Sequence, residues 1–268
     1  MLEIENLAFW LPPAILRLLA SYLPRSIPSS YHEEIKNIRK NLSPYFPPSK
    51  IESIWREMLA LELRLRFETV FIRKQRTQST FKSFSSVPPS LPAPCVIVSA
   101  HLFNYWLLIE FLALCGSPVI FLIGSLSQRP KTPLERAVQK MLKEWVKMQK
   151  FIVREQGHAF ANFKRALEKG ERVLLLLDVP ASYNFKEVTF LGKKIRVPER
   201  GLKFALQRNI PIFLIFPRVS SPQKPYELFM EFLPPQEKKP WNYIFKRLEK
   251  IVLSSPASWL GWTYLHLF

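Results

Sequence analysis

The chain has 268 residues, 48% of them hydrophobic, which argues against disorder and suits one large α/β domain or a core domain with a helical preface. Lysine and arginine number 39 against 21 acidic residues, and this +18 net charge draws polyanions: nucleic acid, anionic lipid headgroups or an acidic carrier protein. With only 7 glycines the chain holds no Gly-rich phosphate loop or dinucleotide fingerprint, and it carries no nucleophile elbow and no zinc spacing.

The first stretch, "LAFWLPPAILRLLASYL" (7–23), is apolar but interrupted by Pro12, Pro13 and Arg17. It is too short and too broken for a spanning helix, and an interfacial or re-entrant segment fits it better. Glu3 and Glu5 stand where a secretory leader would carry a basic region, so no cleavable signal peptide is expected. Residues 1–71 read as a helical, membrane-associating segment. In "SKIESIWREMLALELRLRF", Ser49 is a candidate cap, and Ile51, Ile54, Trp55, Met58 and Leu59 share one face. Residues 72–93, rich in serine and proline and without periodicity, read as a linker. Residues 94–268 then alternate. Strands are expected at 95–100, 119–124, 151–153, 172–178, 187–192, 210–218 and 226–232. Helices are expected at 102–115, 134–149, 158–170 (closed by Gly170), 201–209 and 240–253. This alternation predicts an α/β fold, a central mostly parallel or mixed sheet flanked by helices, behind the helical preface.

Sites in such sheets collect at the carboxyl ends of strands. Three polar residues lie at or near such ends: His101 after "CVIVSA", Arg154 after "FIV", and Asp178 closing "RVLLLLD". In the absence of other motifs, the remaining chemistry is general-base catalysis by His101 on a hydroxyl. The ordinary alternatives are a satisfied core histidine, a surface arginine and an aspartate that caps a turn. Cys95 and Cys115 lie in apolar runs without metal-ligand spacing and read as two reduced thiols. Tyr105, Trp106, Leu107 and Phe111 read as helix core or as the lining of an apolar groove. Trp241, Trp259 and Trp262 suit interfacial anchoring and core packing equally. The basic face of 134–149 (Arg136, Lys140, Lys143, Lys147, with Lys150 just beyond) is either solvated or a docking face for anionic headgroups or carrier protein.

"SAHLFNYW" resembles the "HLGNWE" block of the late acyltransferases of lipid A biosynthesis, which belong with the lysophospholipid acyltransferases, and of the related mycobacterial mannoside acyltransferases. The similarity continues in order through "IVREQG", "ANFKRALEKGERVLLLLD", "VTFLGKKIRVPERGLKFALQRNIPIFLIFPR" and "SSPASWLGW", with "IRKNLSPYFPPSKIESIWREML" resembling the family's helical preface. It covers roughly residues 35–262. The resemblance implies transfer of a fatty acyl chain from acyl carrier protein to a hydroxyl of a lipid A-type glycolipid. The expected place is the cytoplasmic face of a bacterial inner membrane, on a peripheral or monotopic protein. His101 would remove the hydroxyl proton, and Asn104, Arg154 and Gly201 would contact substrate. No metal and no other cofactor is implied, and nucleic acid is not the expected partner. The acidic carrier and the anionic membrane surface are the partners to which the basic charge would answer.

The chain departs from the family at the acid. The family pairs its histidine with an acid across four intervening residues, and that position here is Trp106. Phe103 replaces the usual Gly, Tyr105 the usual Trp, and the basic C-terminal cluster becomes "YLHLF", with His266 and no Arg. Three readings follow: another carboxylate substitutes, His101 works unaided, or catalysis is lost and the fold binds lipid or carrier protein. For the first, Asp178 is the best candidate because the strand ends bring it near. Glu110 is the weaker one, about a helical turn beyond Trp106.

Overall fold

The computed structural model describes residues 32–73, 90–102, 105–117, 119–121, 159–179, 181, 184–219, 224–263 and 265. The expectations for 7–23, 134–149, 151–153, Asn104, Arg154 and His266 lie outside these residues, as do the side chains of Trp106, Leu107 and Glu110.

The preface supplies two helices, α1 (His32–Leu42) and α2 (Pro48–Arg73). Helix α2 opens on Pro48 rather than on a Ser49 cap: the Lys50 and Ile51 amides already bond to the Pro47 carbonyl at 2.9 and 3.0 Å. Proline suits the first helical position because its missing N–H would have had no partner there. The expected apolar face forms, with Ile51, Ile54, Trp55 and Met58 buried and Leu59 packed beside them. The helix runs through Arg73, into the stretch read as linker. Ile35, Ile38, Leu42, Ile54 and Leu61 join the same buried cluster as the strands, so the preface shares one core with the α/β part.

The α/β part contains β1 (Cys95–Ser99), α3 (Tyr105–Leu114), β2 (Val119–Phe121), α4 (Ala159–Glu168) and β3 (Arg172–Leu176). It continues with the hairpin β4 (Phe185–Phe190) and β5 (Lys193–Pro198), then α5 (Arg200–Gln207), β6 (Ile212–Arg218), β7 (Glu227–Phe232) and α6 (Pro240–Ser254). Two 3₁₀ turns, Pro256–Ser258 and Leu260–Thr263, follow. The main sheet has five strands in the order β2-β3-β1-β6-β7, parallel throughout except for the β6–β7 pair. The α/β class with a helical preface therefore holds. Strand β1 is central, and all five of its residues are buried. A continuous apolar run such as "CVIV" is what a parallel strand covered on both faces requires.

Helix α4 ends as expected at Gly170, whose φ of 77° is in the left-handed region; the Glu171 amide reaches back to the Ala166 carbonyl at 3.0 Å. Strand β5 is an element that the sequence pattern did not reveal. Leu191 (φ 51°) and Gly192 (φ 69°) make the two-residue turn that folds it back on β4. Both turn positions need positive φ, and a leucine there is unusual. Its peptide is held from two sides: the Leu191 N–H donates to Glu249 at 2.9 Å, and the Leu191 carbonyl accepts from the Tyr45 hydroxyl at 2.6 Å.

Candidate functional site

The site is built by register. Strands β1 and β3 run parallel with Ser99 opposite Leu176, and the Leu177 amide bonds to the Ser99 carbonyl at 3.2 Å. Two residues further along each chain stand His101 and Asp178. Equal overhangs on neighbouring parallel strands put them side by side at the carboxyl edge of the sheet, although 77 positions separate them.

His101 Nδ1 lies 2.9 Å from Asp178 Oδ1. The His101 peptide N–H donates to both carboxylate oxygens, at 2.9 and 2.8 Å. Trp259 Nε1–H donates to Asp178 Oδ2 at 2.8 Å. Asp178 is 1% exposed. An isolated carboxylate at that depth would cost several kcal/mol and would take up a proton. Burial does push its carboxyl up. The adjoining His101 imidazole, the His101 ring and backbone donors and the Trp259 N–H outweigh this and hold it below the usual carboxylate range. The ionised Asp178 only accepts hydrogen bonds, so the His101 ring proton belongs on Nδ1 and the basic lone pair on Nε2. The imidazole is 23% exposed, so a substrate can reach it while its partner stays dry.

The surroundings are apolar and aromatic. The Tyr105 ring meets the His101 ring edge-on at 5.2 Å. The Tyr105 hydroxyl is pushed well above its ordinary range, by burial first and by the Asp178 charge second, so it stays protonated. The C-terminal segment closes over the pair. Leu102 bridges to Trp259, and the Leu260 amide donates to the His101 carbonyl at 2.9 Å. Trp259 and Trp262 are both fully buried, which settles them as core residues rather than interfacial anchors.

Of the residues singled out in the sequence, His101 and Asp178 come together. Glu110 lies on α3, with its side chain outside the described residues, and Asn104 and Arg154 lie outside them altogether. Gly201 sits in α5, where a Cβ would come within 3.0 Å of Leu175 and 3.5 Å of Phe163. Its place in the structure is the close packing of α5 onto β3 and α4. Cys95 is buried, and burial pushes its thiol up to about 11; Cys115 is half-buried, and both are free thiols. Among the described residues no group of three His, Cys, Asp or Glu is placed to hold a metal ion, and no helix is long and apolar enough to cross a membrane. The residue that sequence reasoning missed is Trp259. The available signal was an indole in the C-terminal block "SSPASWLGW", but nothing in that block indicates where its N–H points.

The chain matches no family model and no curated protein.

Proposed function

We propose that the chain is an acyltransferase of the type its motif series resembles. It would move a fatty acyl chain from the thioester of acyl carrier protein to a hydroxyl of a lipid A-type glycolipid at the cytoplasmic face of the inner membrane. The observation that carries this reading is the 2.9 Å contact between His101 Nδ1 and the buried Asp178. It supports the substitute-acid reading: the position of the family's acid is Trp106, and Asp178 fills the role from the neighbouring strand end.

The mechanism uses His101 as general base. Nε2 takes the proton of the acceptor hydroxyl as its oxygen attacks the thioester carbonyl carbon. The C–S bond breaks, the carrier leaves as a thiolate, and the proton on the imidazolium passes to that thiolate. Asp178 keeps the ring in the Nδ1–H tautomer and stabilises the imidazolium formed during attack. In a serine-protease triad, replacing such an acid by its amide costs about 10⁴ in rate. The +18 net charge supports an anionic membrane and an acidic carrier as partners.

The test is turnover of an acyl-carrier thioester with a lipid A-precursor glycolipid, followed as free carrier thiol and acylated lipid. Wild-type turnover that disappears in His101→Ala supports the reading. Turnover that survives His101→Ala places the chemistry elsewhere, and a folded, lipid-binding protein with no turnover makes it a non-catalytic relative. Because Asp178 already orients the ring, Trp106→Glu should bring no gain. Partition onto anionic vesicles should weaken at about 0.5 M salt, where electrostatic reach shrinks to a few Å; partition unaffected by salt contradicts the membrane part.

A further inference from the structure

We propose that Trp259 is a positioning residue for the His101–Asp178 pair, acting through its indole N–H on Asp178 Oδ2, and that Gly261 provides the space its ring occupies. The inference rests on the acyl-transfer reading for its kinetic consequence, but its physical content concerns Asp178 alone.

The two Asp178 oxygens have different partners. Oδ1 takes the His101 ring at 2.9 Å, Oδ2 takes the Trp259 indole at 2.8 Å, and the His101 amide lies between them at 2.9 and 2.8 Å. The amide alone permits the carboxylate to rock about its Cβ–Cγ bond, since it reaches both oxygens. A donor fixed on Oδ2 removes that freedom and leaves Oδ1 facing Nδ1. A hydrogen bond between a neutral donor and an ionised acceptor, sealed from water, is among the stronger ones a protein makes.

The indole is itself fixed. Its ring packs edge-on against Phe190 at 5.3 Å and Trp262 at 5.0 Å, and its backbone bridges to Leu102, next to the base. A Cβ at Gly261 would fall 2.0 Å from Trp259 Cζ2 and 2.1 Å from Cε2. The face of the ring therefore lies directly on the Gly261 backbone, and a rigid aromatic has no flexible end to move aside. His101 and Tyr105 are titratable groups that face Asp178.

The experiment compares full-length wild type, Trp259→Phe and Trp262→Phe. Trp259→Phe keeps an aromatic ring and removes the donor. Trp262→Phe makes the same chemical change in the same segment, at an indole that bonds instead to the Pro256 carbonyl at 2.8 Å. The readouts are the carboxyl carbon resonance of Asp178 through an acid titration, and kcat and KM for acyl transfer. In Trp259→Phe, Asp178 should titrate at higher pH than in wild type, with kcat down about tenfold and KM unchanged. Trp262→Phe should leave the Asp178 titration in place. An Asp178 titration unmoved in Trp259→Phe overturns the proposal whatever happens to kcat, and so does an equal shift in Trp262→Phe, which would mark packing of the segment as the cause. A shifted titration in a protein with no wild-type turnover leaves Trp259 as the positioning residue and removes the acyl-transfer reading instead.

Discussion

Asp178 and Glu52 each accept a hydrogen bond from an indole nitrogen, Trp259 Nε1 at 2.8 Å and Trp55 Nε1 at 2.6 Å. Each also has basic neighbours: His101 for Asp178, and Arg39 at 2.9 Å and Arg56 at 3.1 Å for Glu52. Both carboxyls are held below their ordinary range. For Glu52 the Trp55 N–H is the largest cause and lowers it; burial, the second, opposes ionisation, and the Arg39 and Arg56 hydrogen bonds add to the lowering. For Asp178, burial is the largest influence and opposes ionisation, and His101 and Trp259 overcome it. The difference lies in depth: the Glu52 side chain is 39% exposed and that of Asp178 is 1% exposed. Water competes for the exposed Arg39 and Arg56 partners of Glu52 and screens its charge. At Asp178 the same chemistry acts undiluted, and each lost donor leaves a dry charge without its full set of partners. Similar donor sets thus make a surface brace in one place and a tuned acid in the other.

The comparison can be sharpened by disturbing each carboxylate through its indole, its pH or its charge. The largest effect on stability is expected at Gly261→Ala, where a methyl group must enter the Trp259 ring; a loss of about 3 kcal/mol in urea unfolding is the scale of a severe overpacking. A wild-type midpoint in that variant would mean that the indole does not lie where its contact with Asp178 requires.

Acid should come next. A carboxyl with a depressed folded-state pKa contributes stability that is fully present above its unfolded value, near 4, and lost as pH falls through the folded value. Wild type should therefore lose stability below about pH 4, and Asp178→Asn, already lower at pH 7, should lose less over that window. Identical slopes in denaturant melts taken between about pH 5 and 2.5 would contradict the ionised, donor-stabilised carboxylate. Glu52→Gln should change stability least, by less than about 1 kcal/mol, with the difference shrinking in high salt. A larger, salt-independent loss would show that exposure does not separate the two sites.

The same contrast explains what was legible in the sequence. His101 and Asp178 end apolar runs that read as strands, and a parallel sheet brings such ends together, so their partnership followed from pattern. Trp106 at the position of the acid in the family that the motifs resemble was equally plain, but the resemblance left open whether another carboxylate stands in for it. Strand β5 escaped because its turn is Leu191–Gly192 rather than an Asn-Gly pair, with the unfavourable leucine conformation held by Tyr45 and Glu249 from distant parts of the chain. Trp259 escaped for a similar reason. It lies between two 3₁₀ turns with no periodicity to give it a face, and its role depends on Leu102, Gly261 and Phe190, none of which a local pattern connects. Residues delivered by regular elements are readable; those delivered by irregular segments become visible only through their contacts.

The central claim is that Asp178 is the acid that orients His101 for proton transfer. The most direct measurement is single-turnover acyl transfer by Asp178→Asn beside wild type and His101→Ala, with folding verified by thermal melts. The amide cannot accept from every donor around it and does not stabilise an imidazolium, so the rate should fall by about three to four orders of magnitude, close to the His101→Ala level. A folded Asp178→Asn that turns over within a few-fold of wild type would contradict the account.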